Sequence, residues 1–294
     1  MLVRVAPEAR NTCETSFIYG ISAFNMPMIK VGIAGVPLAL KGKGTAQGIK
    51  YLATIGLDAL EVQFVRRVSM KEATAVSVGE TARAANIRLS VHAPYMINLA
   101  SESPRVIEES INRIKLSLDR GYALGATIVV FHSAYYSKRH TSDETFDLVK
   151  DGCTRLLDYM NDRGIEGTHL GIELLGRQSQ FGTVDEVRRL HSELADIRPV
   201  VDFAHLQARC NGCLHTVEDY ERVLRKLFRH GDDVHIHFSG IEFSKGNERR
   251  HLPVDIEQFK LLASALKGNA CNGTVICESP LLEKDALRMK QFVK

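Results

Sequence analysis

The chain has 294 residues, 45% of them hydrophobic and 25% charged, and its formal net charge is +3. That is an ordinary globular composition with enough length for a sizeable core, and it excludes a membrane-spanning run, since no stretch of about 18 apolar residues occurs. Six scattered cysteines exclude a disulfide-stapled secreted scaffold, and the mild positive charge permits a polyanionic partner without requiring one.

Residues 1–27 hold Arg4, Glu8, Arg10 and Glu14 and no uninterrupted apolar segment of signal-peptide type. They read as an N-terminal extension, a disordered arm or the product of an upstream start codon, with Met26 and Met28 standing just before the first strand pattern. From Ile29 onward short β-branched runs alternate with amphipathic stretches. Strands are expected at 29–34, 59–64, 88–92, 127–132, 169–174, 198–202, 233–239 and 274–278, and helices near 45–55, 69–85, 104–123, 142–163, 183–195, 216–229, 255–266 and 281–293. Ser103-Pro104 sets a proline at a helical first turn, and Thr183-Val-Asp-Glu186 and Thr216-Val-Glu-Asp219 have the pattern of N-caps followed by acidic first turns.

Eight strand-then-helix units in a row predict a parallel α/β architecture forming a single domain over 28–294, and eight is the number that closes a (β/α)8 TIM barrel. The alternative, an open doubly wound sheet, normally brings a phosphate-cradling glycine loop after its first strand. Gly35-Val-Pro-Leu-Ala-Leu-Lys-Gly-Lys-Gly44 has neither the dinucleotide nor the P-loop spacing. Cys210-Asn-Gly-Cys213 has redox- or metal-like spacing, but with no second pair beside it the two read as ordinary loop thiols, a disulfide being expected only in a thermophile's cytosol.

The informative residues are those that end the strands. His92 closes the third, His132 the fourth, Glu173 the fifth and Asp202 the sixth; His237 lies in the seventh, and Glu278 ends the eighth. Any one of them alone is better explained as a core or surface residue or a helix cap. Together they deliver metal-ligand side chains to one end of the barrel, which is the active-site end. Carboxylates and imidazoles converging there need a counter-charge. A divalent cation supplies it, and mixed His and carboxylate ligands suit zinc, or manganese where oxygen ligands dominate. Asp202-Phe-Ala-His205 adds a second ligand type three residues on, and His251 after the seventh strand is a weaker candidate. His235 is expected to face away from His237 and is left out of the ligand set. Glu61 and Gln63, near the mouth on the second strand, have no assigned role. Basic residues gather on the same loops, among them Lys41, Lys43, Arg66, Arg67, Lys138, Arg139, Arg209, Lys245, Arg249 and Arg250. They suit a rim that binds a nucleic-acid backbone.

These residues resemble the endonuclease IV family, the zinc-dependent apurinic/apyrimidinic (AP) DNA endonucleases within the xylose-isomerase-like TIM-barrel superfamily. His92-Ala-Pro-Tyr-Met-Ile-Asn98 is the most specific match. Phe131-His132-Ser133, Gly171-Ile-Glu173-Leu174, Asp202-Phe-Ala-His205, His237-Phe-Ser-Gly240 and Cys277-Glu278-Ser-Pro280 follow in the family's order, so that the likeness runs from about residue 28 to the end. The resemblance implies that His92, His132 and Glu173 hold one zinc, that Glu173, Asp202, His237 and Glu278 hold a second, and that His205 and His251 hold a third. It makes Glu173 the bridging, catalytic carboxylate and Tyr95 the residue that enters DNA at the lesion.

Two departures mark a divergent branch. Leu174-Leu-Gly-Arg177 replaces an asparagine-rich stretch after the bridging glutamate. Where the family has Asp-x-His after the seventh strand, the residue two before His251 is Arg249, and Glu248 stands one position out of register. This predicts a firm two-metal core with the third position empty or weakly occupied and Arg249 or Arg250 turned toward the phosphate, unless the loop shifts by one residue and brings Glu248 in.

The implied reaction is hydrolysis of the phosphodiester 5′ to an abasic site, leaving a 3′-hydroxyl, with the metals lowering the pKa of a bound water and neutralising transition-state charge. The expected setting is a cytoplasmic, monomeric DNA-repair enzyme. Two rivals remain. A one-metal sugar isomerase or epimerase of the same superfamily would use Glu173, Asp202, His237 and Glu278 but would leave His92 and His132 without work. A nucleic-acid-binding barrel without catalysis would leave the whole ligand set unused.

Overall fold

A computed structural model describes residues 28–293 of the chain; the extension anticipated at 1–27 lies outside the described residues. In chain order the strands are β1 (Ile29–Ala34), β2 (Ala59–Gln63), β3 (Arg88–His92), β4 (Ile128–Phe131), β5 (Ala134–Tyr135), β6 (His169–Glu173), β7 (Gln180–Phe181), β8 (Ile197–Asp202), β9 (Asp233–Phe238), β10 (Gly240–Ser244), β11 (Asn247–Leu252) and β12 (Asn272–Cys277). The α-helices are α1 (Thr45–Thr54), α2 (Glu72–Ala84), α3 (Pro104–Leu124), α4 (Ser142–Asp162), α5 (Val184–Glu193), α6 (Phe203–Arg209), α7 (Val217–Leu227), α8 (Ile256–Gly268) and α9 (Glu283–Lys290). Eight parallel strands close in the order β1-β12-β9-β8-β6-β4-β3-β2. The circle is completed by β1, which pairs with β12 on one side (Ile33 with Cys277) and β2 on the other (Ile33 with Leu60). The expected (β/α)8 barrel is the fold of this chain.

Strand alternation sorts each barrel strand into two chemistries. One parity faces the helices. Leu60 and Val62, Leu89 and Val91, Val129 and Phe131, Leu170 and Ile172, Val234 and Ile236, and Val275 and Cys277 all join one continuous apolar core. The other parity faces the lumen, where Ile128, Val130 and Val200 form a separate small cluster. His132 shares the parity of Val130 and Asp202 that of Val200, so the strand-end ligand types continue the lumen-facing rows.

The start signals for helices act as anticipated. Pro104 occupies the first turn of α3. The Thr183 hydroxyl accepts from the Glu186 N–H at the start of α5, and the Thr216 hydroxyl accepts from that of Asp219 at the start of α7. Each satisfies a backbone donor that the helix leaves open. Three features were not anticipated. Helix α6 grows directly out of β8, because the Asp202 side chain caps it. Two antiparallel ribbons, β5/β7 and β10/β11, rise from the loops after β4, β6 and β9. Cys210 and Cys213 form a disulfide, which corrects their reading as free thiols; the turn after α6 brings their Cα atoms to 5.6 Å, within the span of that bond. Among the described residues, no helix is long and apolar enough to cross a membrane.

Candidate metal centre

The C-terminal mouth of the barrel is an open cleft of about 270 Å³ lined by His92, Tyr95, His132, Tyr135, Arg177, Gln180, His205, Glu248, His251 and Glu278. Glu173 lies at its floor and is fully buried. Its Oε2 is 3.0 Å from His92 Nε2 and 3.0 Å from His132 Nε2. Its Oε1 is 3.2 Å from His205 Nδ1 and 3.3 Å from His237 Nδ1. One carboxylate therefore stands between two groups of imidazoles. Glu278 completes the second group, with Oε1 3.5 Å from His237 Nδ1 and Oε2 3.9 Å from His251 Nδ1.

Several ligand-type side chains are oriented by backbone or hydroxyl contacts. His92 Nδ1 lies 2.8 Å from the carbonyl of Ala93, which turns Nε2 toward Glu173. His205 Nδ1 lies 3.1 Å from the carbonyl of Leu174, and His251 Nδ1 lies 2.7 Å from the hydroxyl of Ser239. Asp202 divides its oxygens: Oδ1 accepts from the His205 N–H at 2.8 Å as the cap of α6, while Oδ2 is buried without a hydrogen-bond partner among the described residues. Capping thus aims the second oxygen into the cluster.

The electrostatics fit a cation. Burial alone would raise the Glu173 pKa, but His132 and His237 hold it well below the ordinary carboxylate value. Burial disfavours the His237 imidazolium, and Glu61, Glu278 and Glu173 overcome it, raising its pKa well above the usual imidazole value. The same contest raises His205, where burial is outweighed by Asp202, Glu173 and Glu248. Glu278 goes the other way. Burial raises its pKa, with Asp202 and Glu173 repelling its charge against the pull of His237. Buried carboxylates that repel one another beside unpartnered oxygens are what divalent cations neutralise. Three groups bring ligand atoms within 4.8 Å of one another around this cleft: His92, His132 and Glu173; Glu173, Asp202 and His237; and Asp202, His205 and His251.

The β10/β11 hairpin departs from the expected register. Lys245 and Gly246 form its two-residue turn with positive φ values of 51° and 70°. Along β11, Arg250 pairs with Glu242 and Glu248 with Phe243, which leaves Arg249 as the extra residue of a β-bulge. The bulge puts Glu248 and His251 on the same face of the ribbon and leaves Arg249 exposed. Arg249 therefore does not take the place of an aspartate beside His251. Glu248 enters the cleft instead, with Oε2 buried 3.1 Å from His205 Nε2 but without hydrogen-bond geometry, and Oε1 3.1 Å from Arg177 Nε. Gly176 leaves the room: a Cβ there would meet Glu248 Oε2 at 2.3 Å.

Three further residues join the cluster from below. Residues two apart on a strand share a face, so His235 lies on the same side as His237, which corrects its expected placement on the opposite side. Both contact Glu61, which is fully buried. Ser90, on the neighbouring strand, donates its hydroxyl to the same carboxylate. Counting alternation from Val62, already apolar and outward, would have placed Glu61 in the lumen.

The basic rim disperses. Arg66 and Arg67 are exposed on the loop after β2. Arg139 pairs with Glu102 at 3.2 Å, and Arg250 pairs with Glu242 at 2.6 Å. Arg209 Nη1 donates to the carbonyls of Leu175, Arg177 and Gln180, bracing the loop after β6. Tyr95 stands at the rim, 40% exposed, its ring centroid 5.1 Å from that of His92 and 5.2 Å from that of His132. A second cavity, of about 290 Å³, opens at the opposite end of the barrel. Arg88 pairs with Asp233 there, and among the described residues the only ligand-type group that reaches its lining is that of Glu61, His235 and His237.

A closed parallel barrel whose C-terminal mouth gathers imidazoles and carboxylates defines a class: TIM-barrel proteins with a metal-binding type of site. The sequence places the chain more narrowly. Residues 49–293 match the model of the xylose isomerase-like TIM barrel family, and the chain belongs to that family. It is 37% identical over 267 residues to an uncharacterized protein of Methanocaldococcus jannaschii, a match covering 88% of this chain and 95% of that one. It is 26% identical to a "Probable endonuclease 4" of Mycobacterium leprae over 76% of this chain and 85% of the relative. Among solved structures it resembles endonuclease IV from Thermus thermophilus (TM-score 0.63, 21% identity, 90% of this chain and 97% of that one). It also resembles a D-tagatose 3-epimerase-like protein (TM-score 0.69, 18% identity, 90% and 96%). At those identities the two structures share the fold with this chain; the endonuclease 4 relatives are distant.

Proposed function

We propose that this protein is a metal-dependent endodeoxyribonuclease that hydrolyses the phosphodiester 5′ to abasic sites in DNA, with zinc as its metal. The observation that carries the reading is the position of Glu173, one oxygen toward His92 and His132 and the other toward His205 and His237. A carboxylate so placed suits a bridge between two cations. In this reading His92, His132 and Glu173 hold one ion, and Glu173, Asp202, His237 and Glu278 hold a second. Asp202, His205 and His251 hold a third, completed by Glu248. Zinc takes three protein ligands at open sites and four at closed ones, and the bulged ribbon provides the carboxylate that Arg249 cannot.

When bound, the ions supply Lewis acidity at the phosphodiester and a hydroxide nucleophile near neutral pH. The remaining work falls to the chain's own residues. Asp202 and His92 are pre-oriented by their cap and carbonyl contacts, so little reorganisation accompanies binding. Tyr95 is placed to fill the gap where a base is missing, and Arg66 and Arg67 are free to meet the DNA backbone. The endonuclease 4 relatives support the reading.

A second reading, a one-metal sugar epimerase, is favoured by the compact group of Glu173, Asp202 and His237 beside Glu278, and by structural neighbours such as the D-tagatose 3-epimerase-like protein. It gives His92 and His132 nothing to do. The two separate in one pair of assays. Zinc-loaded protein is incubated with a duplex oligonucleotide carrying one abasic site, and in parallel with a ketohexose. The nuclease reading predicts a nick 5′ to the site with a 3′-end that a polymerase extends. Epimerised ketose with intact DNA would overturn it.

A further inference from the structure

The lumen of a TIM barrel is ordinarily filled by layers of branched aliphatic side chains. In the tier below the metal centre this barrel has a carboxylate. Glu61 lies on β2, and His235 and His237 lie on β9, which is separated from β2 by β1 and β12 in the closed sheet. All three are buried. Burying a carboxylate is costly unless its oxygens are satisfied, and among the described residues no Lys or Arg pairs with this one. It receives His235 Nε2 at 2.9 Å, the Ser90 hydroxyl at 2.9 Å, the Gln63 amide at 3.0 Å and His237 Nε2 at 3.2 Å. The His235, Ser90 and His237 contacts fall on Oε2 and the Gln63 amide donates to Oε1, which His237 Nε2 also approaches at 3.2 Å; each imidazole donates when its Nε2 holds the proton. A valine or leucine there would be less costly to fold, so the carboxylate serves something besides packing.

His237 shows what that is. Its two ring nitrogens face different neighbourhoods. Nε2 meets Glu61, whereas Nδ1 meets Glu173 and Glu278 in the mouth. A neutral imidazole carries one proton. If Nε2 holds it and donates to Glu61, Nδ1 is left with its lone pair aimed at the metal centre; the other tautomer would set a proton against the ion and face two acceptors without one. A carboxylate on the far nitrogen also raises the donor strength of the near one.

We infer that Glu61 is a positioning residue for metal binding: from across the barrel, its carboxylate fixes the tautomer and orientation of His237 so that Nδ1 is the ligand, with His235 and Ser90 holding the carboxylate in place. This inference rests on the metal-binding reading proposed above, and not on which substrate that metal serves. The group Glu61, His235 and His237 also has the proximity of a ligand set. The Ser90 and Gln63 donors already seated on its two oxygens favour positioning over ligation.

The test uses full-length protein and zinc. Competition against a chelator gives the affinity of each equivalent, and long-range 1H–15N NMR of the zinc-loaded protein gives the protonation of His237. In the wild type, Nε2 of His237 carries a proton and Nδ1 has the shift of a metal-bound nitrogen. E61Q leaves the number of zinc equivalents unchanged, weakens one of them about 10- to 100-fold, and leaves the equivalent at His92 and His132 unaffected. E61D, which keeps the charge at a shorter reach, recovers part of the loss. Loss of a whole equivalent in E61Q would make Glu61 a ligand and overturn the inference. Equal weakening of every equivalent would reduce Glu61 to a packing role and overturn it as well. Should E61Q fail to fold, the wild-type spectrum decides alone: an unprotonated Nε2, or zinc on Nε2, refutes the tautomer argument. A protein that binds zinc as described but leaves abasic DNA intact would sink the nuclease reading while this one stands. Unaltered zinc binding in E61Q with intact cleavage would do the reverse.

Discussion

The two faces of the same eight strands are built on opposite principles. Outward, each strand contributes to a continuous apolar core that includes Phe131, Phe203, Tyr220 and Phe259 and seals the barrel against its helices. Inward, the aliphatic cluster shrinks to Ile128, Val130 and Val200, and Glu61, His92, Glu173, Asp202, His205 and His237 are buried beside it. The outer layer supplies the hydrophobic free energy of folding. The inner layer burdens the fold with buried charge, which its hydrogen bonds and ion pairs offset in the protein alone and which the proposed cations would offset further. One sequence alternation therefore separates the residues that stabilise the molecule from those that give it chemistry.

Substitutions on each face should break different properties. Glu173→Gln removes the shared charge at the centre of the inner face. Cleavage of abasic DNA is expected to fall by about 10²- to 10³-fold while circular dichroism and the thermal midpoint stay close to wild type. Retained cleavage would remove Glu173 from its bridging place. Phe259→Ala makes the mirror-image change on the outer face, emptying a fully buried site. It should cost about 3–5 kcal/mol of stability in denaturant unfolding without altering metal stoichiometry below the transition. A change in stoichiometry would mean that the two faces are coupled.

Glu248→Ala sharpens the comparison within the inner face. It should weaken one zinc equivalent, the one assigned to Asp202, His205 and His251, by at least about tenfold, with the other two unmoved in a chelator titration. If all three titrate as in the wild type, the β-bulge carries no ligand. The smallest effect belongs to the rim. Arg66→Ala with Arg67→Ala should lower DNA affinity and reduce the slope of log affinity against log salt by about 2. An unchanged slope places the DNA elsewhere.

Much of this division can be read from the residues. The apolar runs Ile128-Val-Val-Phe131 and Thr274-Val-Ile-Cys277 mark barrel strands, and the ionisable residue that follows each marks the mouth. The Thr-x-x-acid caps at 183 and 216 mark helix starts because their hydrogen bonds are local. Less legible was whatever depends on register or on partners far along the chain. The inward turn of His235 follows from strict alternation, but its reason, Glu61, is 174 residues away. The entry of Glu248 depends on a bulge that only the pairing of β10 with β11 reveals, and Gly176, which makes room for it, belongs to another loop. The Cys210–Cys213 disulfide depends on the turn that ends α6, a helix whose own existence rests on Asp202 doubling as a cap.

The central claim is that the inner face is a multi-metal site built around Glu173. Metal analysis by mass spectrometry of protein purified with zinc and without chelator tests it most directly. The account predicts two or more zinc equivalents per chain, with His92 and His132 among the ligands. A reproducible single equivalent, held by Glu173, Asp202, His237 and Glu278 with His92 and His132 free, would contradict it and leave the one-metal epimerase reading in its place.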